Sequence, residues 1–345
     1  MKTVTRSTRP TDRRLSAPIQ RGKARAKSLQ IHSVLVPVDF SPPSREAIEL
    51  SLPLAKLFGA EFHLVHVVPP DELLSSTAAL PLIMSQIQIG RGIRKRLKDA
   101  AKQYSVELRP TNIHALRGHP FEEVCRLARD INTDLIITST RGNTGVKRLR
   151  LGSTAERIVR YSPCPVLVIR GGDRKQAAGT NGKLKRQVTF KKILVPIDFS
   201  SCSLKGLDYA KALAKQFDAS LVLLYSLHLQ YYVSSDEYAR YDMPLLMQQT
   251  EKAACKEMRD LMRKTDWEGI KVKQSLQIGH PGDQVCARAK DLGADLIVTS
   301  THGTTGLKHI LIGSTAEFIV RHAPCPVLVV PSHERPAITS SQAKK

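Results

Sequence analysis

The sequence has few aromatic residues and no long uncharged run. Phe, Trp and Tyr make up 5% of its 345 residues, and Trp occurs once. The prevalence of Val, Ile, Leu and Ala is typical of a parallel sheet covered by helices. The uncharged runs are far shorter than the ~20 residues of a membrane-spanning helix, so no segment is expected to cross a bilayer. The chain does not open with the order of regions that marks a secretion signal, and we expect a cytoplasmic protein.

Cysteine is scarce, and its spacing excludes two classes of site. The six cysteines include no C-x-x-C pair and do not form the pattern of a disulfide framework. We expect buried or incidental thiols in a reducing compartment, and we assign no metal site.

Motifs of common catalytic machinery are also missing. No stretch matches G-x-x-x-x-G-K-[S/T], so no P-loop lysine is available to reach the β- and γ-phosphates of a nucleotide. Neither H-E-x-x-H nor a triad motif occurs. Efficient phosphoryl transfer is therefore not expected, and we assign no catalytic residue.

Acidic residues are outnumbered, and the excess positive charge is unevenly placed. The chain holds 53 Lys or Arg against 31 Asp or Glu. Residues 1–30 carry nine Lys or Arg and one Asp, and residues 171–187 carry five and one. Both stretches are poor in core residues, which predicts disorder. Three interpretations of the N-terminal tail stay open: a solvated tail, a contact with nucleic acid or an anionic surface, and an organelle transit peptide.

The most informative feature that is present is an internal repeat. Residues 118–169 align without a gap on residues 279–330, a shift of 161, and 31 of the 52 positions are identical. The stretch 34–41 recurs at 193–200. Each copy is the size of a domain and far longer than a solenoid repeat.

Within each copy, apolar β-branched stretches alternate with amphipathic ones. This order predicts an α/β fold of two tandem doubly wound domains, each with a five-stranded parallel sheet and right-handed crossovers. The expected organisation is a basic disordered tail (1–30), a first unit (31–171), a linker (172–190), a second unit (191–331) and a disordered C-terminal tail (332–345). We expect the units to pack face to face through their last strands, Val166–Ile169 and Val327–Val330, as a pseudo-dimer within the chain; a homodimer is possible as well.

Ligands of doubly wound sheets bind beyond the carboxyl ends of strands where the strand order reverses. In both units the first strand ends in Asp-Phe-Ser, and a Gly-Ser-Thr opens the helix after the fourth strand. Small residues at a helix start let backbone N–H groups approach an anion. The pattern suits a nucleotide, with ribose at Asp39 and phosphates at Gly142, Gly152, Ser153 and Thr154. An alternative is that Ser153 and Glu156 form a capping box that fixes the helix start without a ligand.

These motifs resemble the universal stress protein family in its tandem form. The resemblance covers about residues 33–331 and depends on Val-Pro-Val-Asp-Phe-Ser, Gly-His-Pro, Gly-Ser-Thr-Ala-Glu and Pro-Cys-Pro-Val-Leu-Val. It implies an adenine nucleotide alpha hydrolase-like fold. It also implies ATP, with or without Mg²⁺, through the pattern G-x2-G-x9-G-[S/T]. Ser139 and Ser300 replace the first glycine of that pattern in the two units.

The resemblance also implies which residues bind the nucleotide. It implies that Pro37, Val38 and Asp39 contact the adenosine and that Val67 lies beside the adenine. In the second unit, Ser226 replaces the apolar Val67. The implied second-unit set is Pro196, Ile197, Asp198, Ser226, Gly303, Gly313, Ser314 and Thr315.

Several further residues have competing interpretations. Lys147, Arg148 and Arg150 could contact a polyphosphate, although a solvated loop is the preferred reading. His119 and His280 are expected to shape turns, because each precedes a proline suited to the first helical position. Tyr225 and four later tyrosines are expected to pack under a loop rather than to cover a base.

We therefore expect an adenine-nucleotide-binding protein that senses or buffers ATP during stress. Two alternatives stay open: an interaction module whose glycines are structural, and a slow ATPase or autophosphorylating protein.

Overall fold

Strands and helices alternate along both halves of the chain in the computed structural model. The residues that the structure describes are 30–70, 79–104, 108–140, 152–170, 188–228, 243–303 and 312–332.

The first unit has five strands and four helices in this described part. A short 3-10 helix, Pro110–Asn112, precedes its third strand. In chain order the elements are β1 (Ser33–Pro37), α1 (Pro42–Phe58), β2 (Glu61–Val68), α2 (Ala79–Lys102), β3 (Ile113–Arg117), α3 (Pro120–Asp130), β4 (Leu135–Ser139), α4 (Ser153–Tyr161) and β5 (Val166–Ile169).

The second unit repeats this order. Its elements are β6 (Lys192–Pro196), α5 (Ser201–Phe217), β7 (Ser220–Leu227), α6 (Met243–Lys264), β8 (Val272–Ile278), α7 (Pro281–Leu292), β9 (Leu296–Ser300), α8 (Ser314–His322) and β10 (Val327–Val330).

Local sequence explains where the first helix begins and ends. The Ser41 hydroxyl accepts a hydrogen bond from the Ser44 amide, and prolines follow directly in the first turn, where a missing N–H costs nothing. Gly59 ends the helix at φ 63°, a left-handed conformation that glycine adopts without strain. The start of α5 is capped in the same way by Ser200.

The ten strands of the described residues lie in one sheet. Its order is β3-β2-β1-β4-β5-β10-β9-β6-β7-β8, and pairing is parallel within each unit. The parallel, doubly wound arrangement of each unit confirms the fold predicted from the sequence. In each unit the first strand has the second on one side and the fourth on the other, so the strand order reverses there.

The two units join through their last strands. β5 and β10 pair antiparallel, with Leu167 opposite Leu328. This pairing confirms that the units meet through Val166–Ile169 and Val327–Val330. The contact is edge to edge in a continuous sheet, so the face-to-face part of the expectation was wrong. Pairing satisfies the backbone groups of both edges, which would otherwise stay open to other chains. Across this seam, Arg321 forms an ion pair of 3.0 Å with Glu156.

Two apolar cores cover the two faces of the sheet. Helices α1, α2, α5 and α6 pack on one face, and α3, α4, α7 and α8 pack on the other. Adjacent strand residues serve opposite faces: Val34 and Val36 belong to the first core, and Leu35 belongs to the second. A strand between two helical layers is apolar on both faces, which explains the continuous hydrophobic runs in the sequence.

The third strand begins later than the sequence pattern predicts. The apolar pattern of residues 108–115 predicts a strand there, whereas β3 spans Ile113–Arg117. The stretch before it is helical instead, and the Asn112 side-chain amide donates to the Phe62 carbonyl at 3.2 Å. This contact ties the 3-10 turn to β2 and delays the strand.

Candidate functional site

The candidate site lies where the strand order of each unit reverses. Pro37 ends β1, and the next amide, that of Val38, donates to the Val65 carbonyl at 2.8 Å. In the second unit the Ile197 amide donates to Leu224 at the same distance. Val38 and Ile197 are both buried. The main chain therefore leaves β1 and β6 along the same path and brings an aspartate to the strand end in both units.

Each aspartate is held by the helix that follows it. The Asp39 carboxylate accepts a hydrogen bond of 3.0 Å from the Ser41 amide. Asp198 accepts bonds from both the amide (3.0 Å) and the hydroxyl (2.6 Å) of Ser200. These bonds fix the side chains against the start of α1 and α5.

The residue after each aspartate has an unusual backbone conformation. Phe40 and Phe199 both have φ 61°, in the left-handed region that bulky residues rarely occupy. Such strain costs roughly 1–3 kcal/mol and persists when surrounding structure requires it. The same conformation at the same place in both units indicates that it sets the direction of the Asp-Phe-Ser turn.

A glycine lies directly against the second aspartate. A Cβ atom added to Gly303 would lie 2.4 Å from Asp198 Oδ2, closer than any real contact. Only glycine fits there without moving the carboxylate. The sequence placed Gly303 among the phosphate contacts; in the structure Asp198 is its closest neighbour. Its counterpart Gly142 lies outside the described residues.

The helix after the fourth strand begins at Ser153 in one unit and Ser314 in the other. The N-cap residues are Gly152 and Gly313, and neither helix start has a side-chain cap. The Gly152 and Gly313 amides donate to the carbonyls of Thr140 and Thr301, at 2.7 and 2.8 Å. Each glycine is thus fixed to the end of the preceding strand.

The capping-box alternative is wrong. Ser153 lies inside the helix rather than at the cap, and Glu156 forms ion pairs with Arg160 (3.4 Å) and Arg321 (3.0 Å) instead. The first helical bond runs from the Glu156 amide to the Gly152 carbonyl. The amides of Ser153, Thr154 and the next residue precede that bond, so they have no partner within the helix. A helix start of this kind attracts anions.

The serine that replaces the first glycine of the family pattern is the last residue of the fourth strand in each unit. In the second unit the Ser300 hydroxyl donates to the His302 carbonyl at 2.7 Å. His302 in turn lies 3.1 Å from the hydroxyl of Ser332. These bonds hold the chain where it leaves β9.

The residues assigned to the adenine side differ in their contacts. Val67 is buried in the core beneath α3 and α4. Ser226, its counterpart, donates its hydroxyl to the Gly279 carbonyl at 2.8 Å. This bond attaches the end of β7 to the turn before α7.

A group of residues packs above the Asp-Phe-Ser turns; of these, sequence reasoning named Tyr225 but did not identify His66 or Arg96. In the first unit, His66 packs on the Phe40 ring with centroids 4.7 Å apart, and Arg96 lies 3.9 Å over that ring. In the second unit, Tyr225 stacks on Phe199 at 5.2 Å. The repeat alignment could have shown this difference, since it equates His66 with Tyr225.

Electrostatics near the second aspartate involve the same tyrosine. Burial raises the pKa of Tyr225, and the negative charges of Glu257 and Asp198 add to the rise. The phenol is therefore protonated at neutral pH and can donate a hydrogen bond.

Two histidines and two cysteines that lie away from the strand ends have shifted pKa values. Burial lowers the pKa of His114 to about 4, with further contributions from His63 and Arg94; its Nε2 lies 3.2 Å from His63 Nδ1. Burial also raises the pKa of Cys125 to about 12 and that of Cys286 to about 11, so both thiols stay neutral and unreactive at neutral pH.

The two Gly-His-Pro turns are structural. Pro120 and Pro281 take the first helical positions, and the preceding His119 and His280 are N-cap residues without a side-chain cap bond. Within the described ranges no group of three His, Cys, Asp or Glu could hold a metal ion, and no helix there is long and apolar enough to cross a membrane. Lys147, Arg148 and Arg150 lie outside those ranges, as do the four later tyrosines.

Known proteins resemble this chain in sequence. The model of the universal stress protein family matches residues 30–170 and 189–331. The universal stress protein MJ0531 of Methanocaldococcus jannaschii is 34% identical over 142 residues, which are 41% of this chain and 82% of that protein. MJ0577 of the same organism is 30% identical over 156 residues, covering 41% and 96%.

Solved structures also share the fold. A universal stress protein from Archaeoglobus fulgidus aligns with a TM-score of 0.60 at 20% identity, covering 88% of this chain and all of that one. A putative universal stress protein from Pseudomonas aeruginosa aligns with a TM-score of 0.56 at 18% identity, covering 87% and 93%. Because the family model matches both repeats and thus most of the chain, the protein belongs to the universal stress protein family and carries two copies of its domain in tandem.

Proposed function

We propose that this protein binds ATP in both units and acts in the stress response as a sensor or buffer of adenine nucleotide. One observation carries the proposal. At the point where the strand order reverses, each unit presents an aspartate held at a strand end and, across the gap, a glycine-started helix without a side-chain cap. Doubly wound sheets bind nucleotides at this position.

Each part of the arrangement suits one part of a nucleotide. Asp39 and Asp198 accept hydrogen bonds, so they can take those of ribose hydroxyls. The first-turn amides of α4 and α8, which have no partner within their own helix, suit phosphate oxygens, as does the partial positive charge of the helix start. The family resemblance supports adenine as the base, beside Val67 in the first unit and Ser226 in the second.

The proposal assigns no protein ligands to Mg²⁺. Within the described residues no three metal-ligating side chains lie together. Where Mg²⁺ is present, we propose that it accompanies ATP as a counter-ion of the phosphates. We also propose that hydrolysis is at most weak, since the sequence has no P-loop lysine.

Calorimetric titration of the full chain, stripped of nucleotide, tests the proposal. Wild type should release heat on ATP addition, and the double variant Gly152→Val/Gly313→Val should release none. A valine there would stand between the helix amides and the phosphates. The variant should fold, because both glycines have ordinary backbone angles, with φ −62° and −61°. Gly92→Val is the matched control, since nothing lies within 4 Å of its Cβ position.

The aspartates provide a second measurement. Asp39→Ala and Asp198→Ala should each weaken binding in their own unit by roughly 1–3 kcal/mol, the contribution of a charge-assisted hydrogen bond. Absence of any binding heat for stripped wild type at millimolar ATP would sink the proposal. Phosphate release that is lost with a single pocket residue would favour an enzyme instead.

A further inference from the structure

The first unit has a strongly basic cleft that the nucleotide proposal does not use. It lies between α2, the end of β3 and the start of α3, with a volume of about 580 Å³. Four arginines line it: Arg91 and Arg94 from α2, Arg117 from β3 and Arg126 from α3.

Three of these arginines form no ion pair within the described ranges, although the carboxylate of Glu123, which binds Arg126, also lines the cleft. Arg126 is paired with Glu123 and Asp130 on its own helix. Within the described ranges, no carboxylate pairs with Arg91, Arg94 or Arg117, and all three are exposed. The positive charge of Arg94 also contributes to the lowered pKa of His114, after burial and His63.

The second unit has the same fold but lacks the four arginines of the cleft. The buried residues Ile93 and Leu97 of α2 correspond to Ala254 and Met258 of α6, a shift of 161. By the same shift, the second unit has Lys252, Cys255, Ile278 and Ala287 in place of the four arginines. The basic cleft is thus a property of one unit and not a requirement of the fold.

The floor of the cleft includes a glycine that packing does not explain. Gly90 lies within α2 and lines the cleft, and nothing lies within 4 Å of its Cβ position. Glycine inside a helix is unfavourable relative to alanine, so a packing or ligand reason is expected. An absent side chain leaves room for a close approach of a ligand to the helix.

The basic surface continues from the cleft along α2. Residues 88–102 hold six Lys or Arg and one Asp, whereas the equivalent residues 249–263 hold four Lys or Arg and three Asp or Glu. None of the described residues that line the cleft is aromatic. Stacking of unpaired bases, the usual mode for single strands, therefore has no platform here. Guanidinium groups fit phosphates by paired hydrogen bonds.

We propose that this cleft, with Arg91, Arg94 and Arg117 as its contacts, binds the phosphate backbone of a nucleic-acid duplex without reading its sequence. This role is separate from nucleotide binding at the strand ends.

The salt dependence of binding tests the inference in the full chain. A fluorescent short DNA duplex of mixed sequence is titrated with protein at several salt concentrations. The triple variant Arg91→Ala/Arg94→Ala/Arg117→Ala should lower the slope of log affinity against log salt by about 2.7, since each lost phosphate contact removes about 0.9. The slope is the readout because the tail and linker cations are the same in every variant.

The matched control removes the same charge from the second unit. Lys252→Ala/Lys256→Ala/Arg259→Ala lies on α6 at positions equivalent to 91, 95 and 98, and it should leave the slope unchanged. Equal slopes for the two triple variants would mean that only net charge matters, and would overturn the inference. So would displacement of the duplex by inorganic tripolyphosphate at concentrations near that of the protein, which would indicate a site for a small anion.

Gly90 provides a second test that does not alter charge. Gly90→Ala should raise the melting temperature, through better helix propensity, and weaken duplex binding several-fold. Gly92→Ala, the control two residues away, should raise the melting temperature and leave binding unchanged, because Gly92 does not line the cleft. If both variants bind as wild type does, the glycine has no role at the cleft.

Discussion

The two units share a backbone and differ in the side chains above it. Both hold an aspartate at the reversal point and start the following helix on a glycine. Above the aspartate, the first unit has His66 and the cation Arg96, and the second has Tyr225 and the anion Glu257. Positions that set the backbone are therefore kept between the copies, while positions that set the local charge have changed. From this comparison we expect two ATP sites with the same backbone arrangement and unequal affinities.

The largest expected effect tests whether the second site needs its close glycine. Gly303→Ala would place a methyl group 2.4 Å from Asp198 Oδ2, so the carboxylate must move, which strains the bonds that its Oδ1 accepts from Ser200. We expect the calorimetric stoichiometry of ATP to fall by half. Overpacking should also cost roughly 1–3 kcal/mol of stability in urea unfolding.

Gly313→Ala is the control for this variant. The nearest atom to its Cβ position is the Thr301 carbonyl oxygen at 3.4 Å, an ordinary contact. Its stability should match that of wild type. If both variants lost stability equally, the close approach of Gly303 to Asp198 would not be the cause.

The second expected effect concerns the stability of the two units at acidic pH. His114 pairs with His63 in the first unit, whereas the second has Ser275 and Val222 at the equivalent register positions. The folded-state pKa of His114 is about 4, below its ordinary value of 6.5. The unfolded chain binds the extra proton first, so this histidine favours folding above pH 6.5 and that stability is lost as pH falls toward 4.

The variant His114→Ser, which copies the second unit, should remove this acid sensitivity. We expect the loss of stability between pH 7 and pH 4 to be smaller by roughly 2 kcal/mol, after allowing for partial exposure of the ring. Urea unfolding at a series of pH values measures it. An unchanged pH profile would show that protonation of His114 does not oppose folding.

The third expected effect concerns stability at the seam between β5 and β10, where only the first unit provides a charged hydrogen-bond donor. Arg170 of the first unit donates to the carbonyls of Arg321 (2.9 Å) and Ala323 at the end of α8. The repeat equivalent of Arg170 is Pro331, which has no such donor. Arg170→Ala should therefore cost roughly 1–2 kcal/mol by leaving helix-end carbonyls without a charged donor. Pro331→Ala should cost less; equal losses in denaturant unfolding would contradict the asymmetry.

The sequence predicts the elements whose ends are marked by local residues, and it does not predict the features that depend on contacts between distant side chains. The sequence predicts a helix over Ser153–Tyr161 and a strand over Val166–Ile169, and α4 and β5 have these bounds. Gly152 and Ser162 mark the ends of the helix, and Pro165 and Arg170 mark those of the strand. The start of β3 did not, since the bond from Asn112 to β2 is a tertiary contact that local pattern does not contain. The N-cap at Gly152 was also not predicted. Ser153 and Glu156 have the spacing of a capping box, but Glu156 forms an ion pair with Arg321 across the seam instead.

The smallest effect concerns the opposed charges themselves. Arg96→Glu should weaken ATP binding in the first unit, and Glu257→Arg should strengthen it in the second, because phosphates are anionic. Both side chains are exposed, so each change should amount to less than about 1 kcal/mol and should fade as salt rises. Calorimetry in the Gly313→Val and Gly152→Val backgrounds isolates one site at a time. The double exchange Arg96→Glu/Glu257→Arg leaves net charge constant and should bring the two affinities closer together or reverse their order. If it leaves their ratio unchanged, the charges above the aspartates do not distinguish the sites, and the uncharged differences between the units, Val67 against Ser226 and His66 against Tyr225, are the next to exchange.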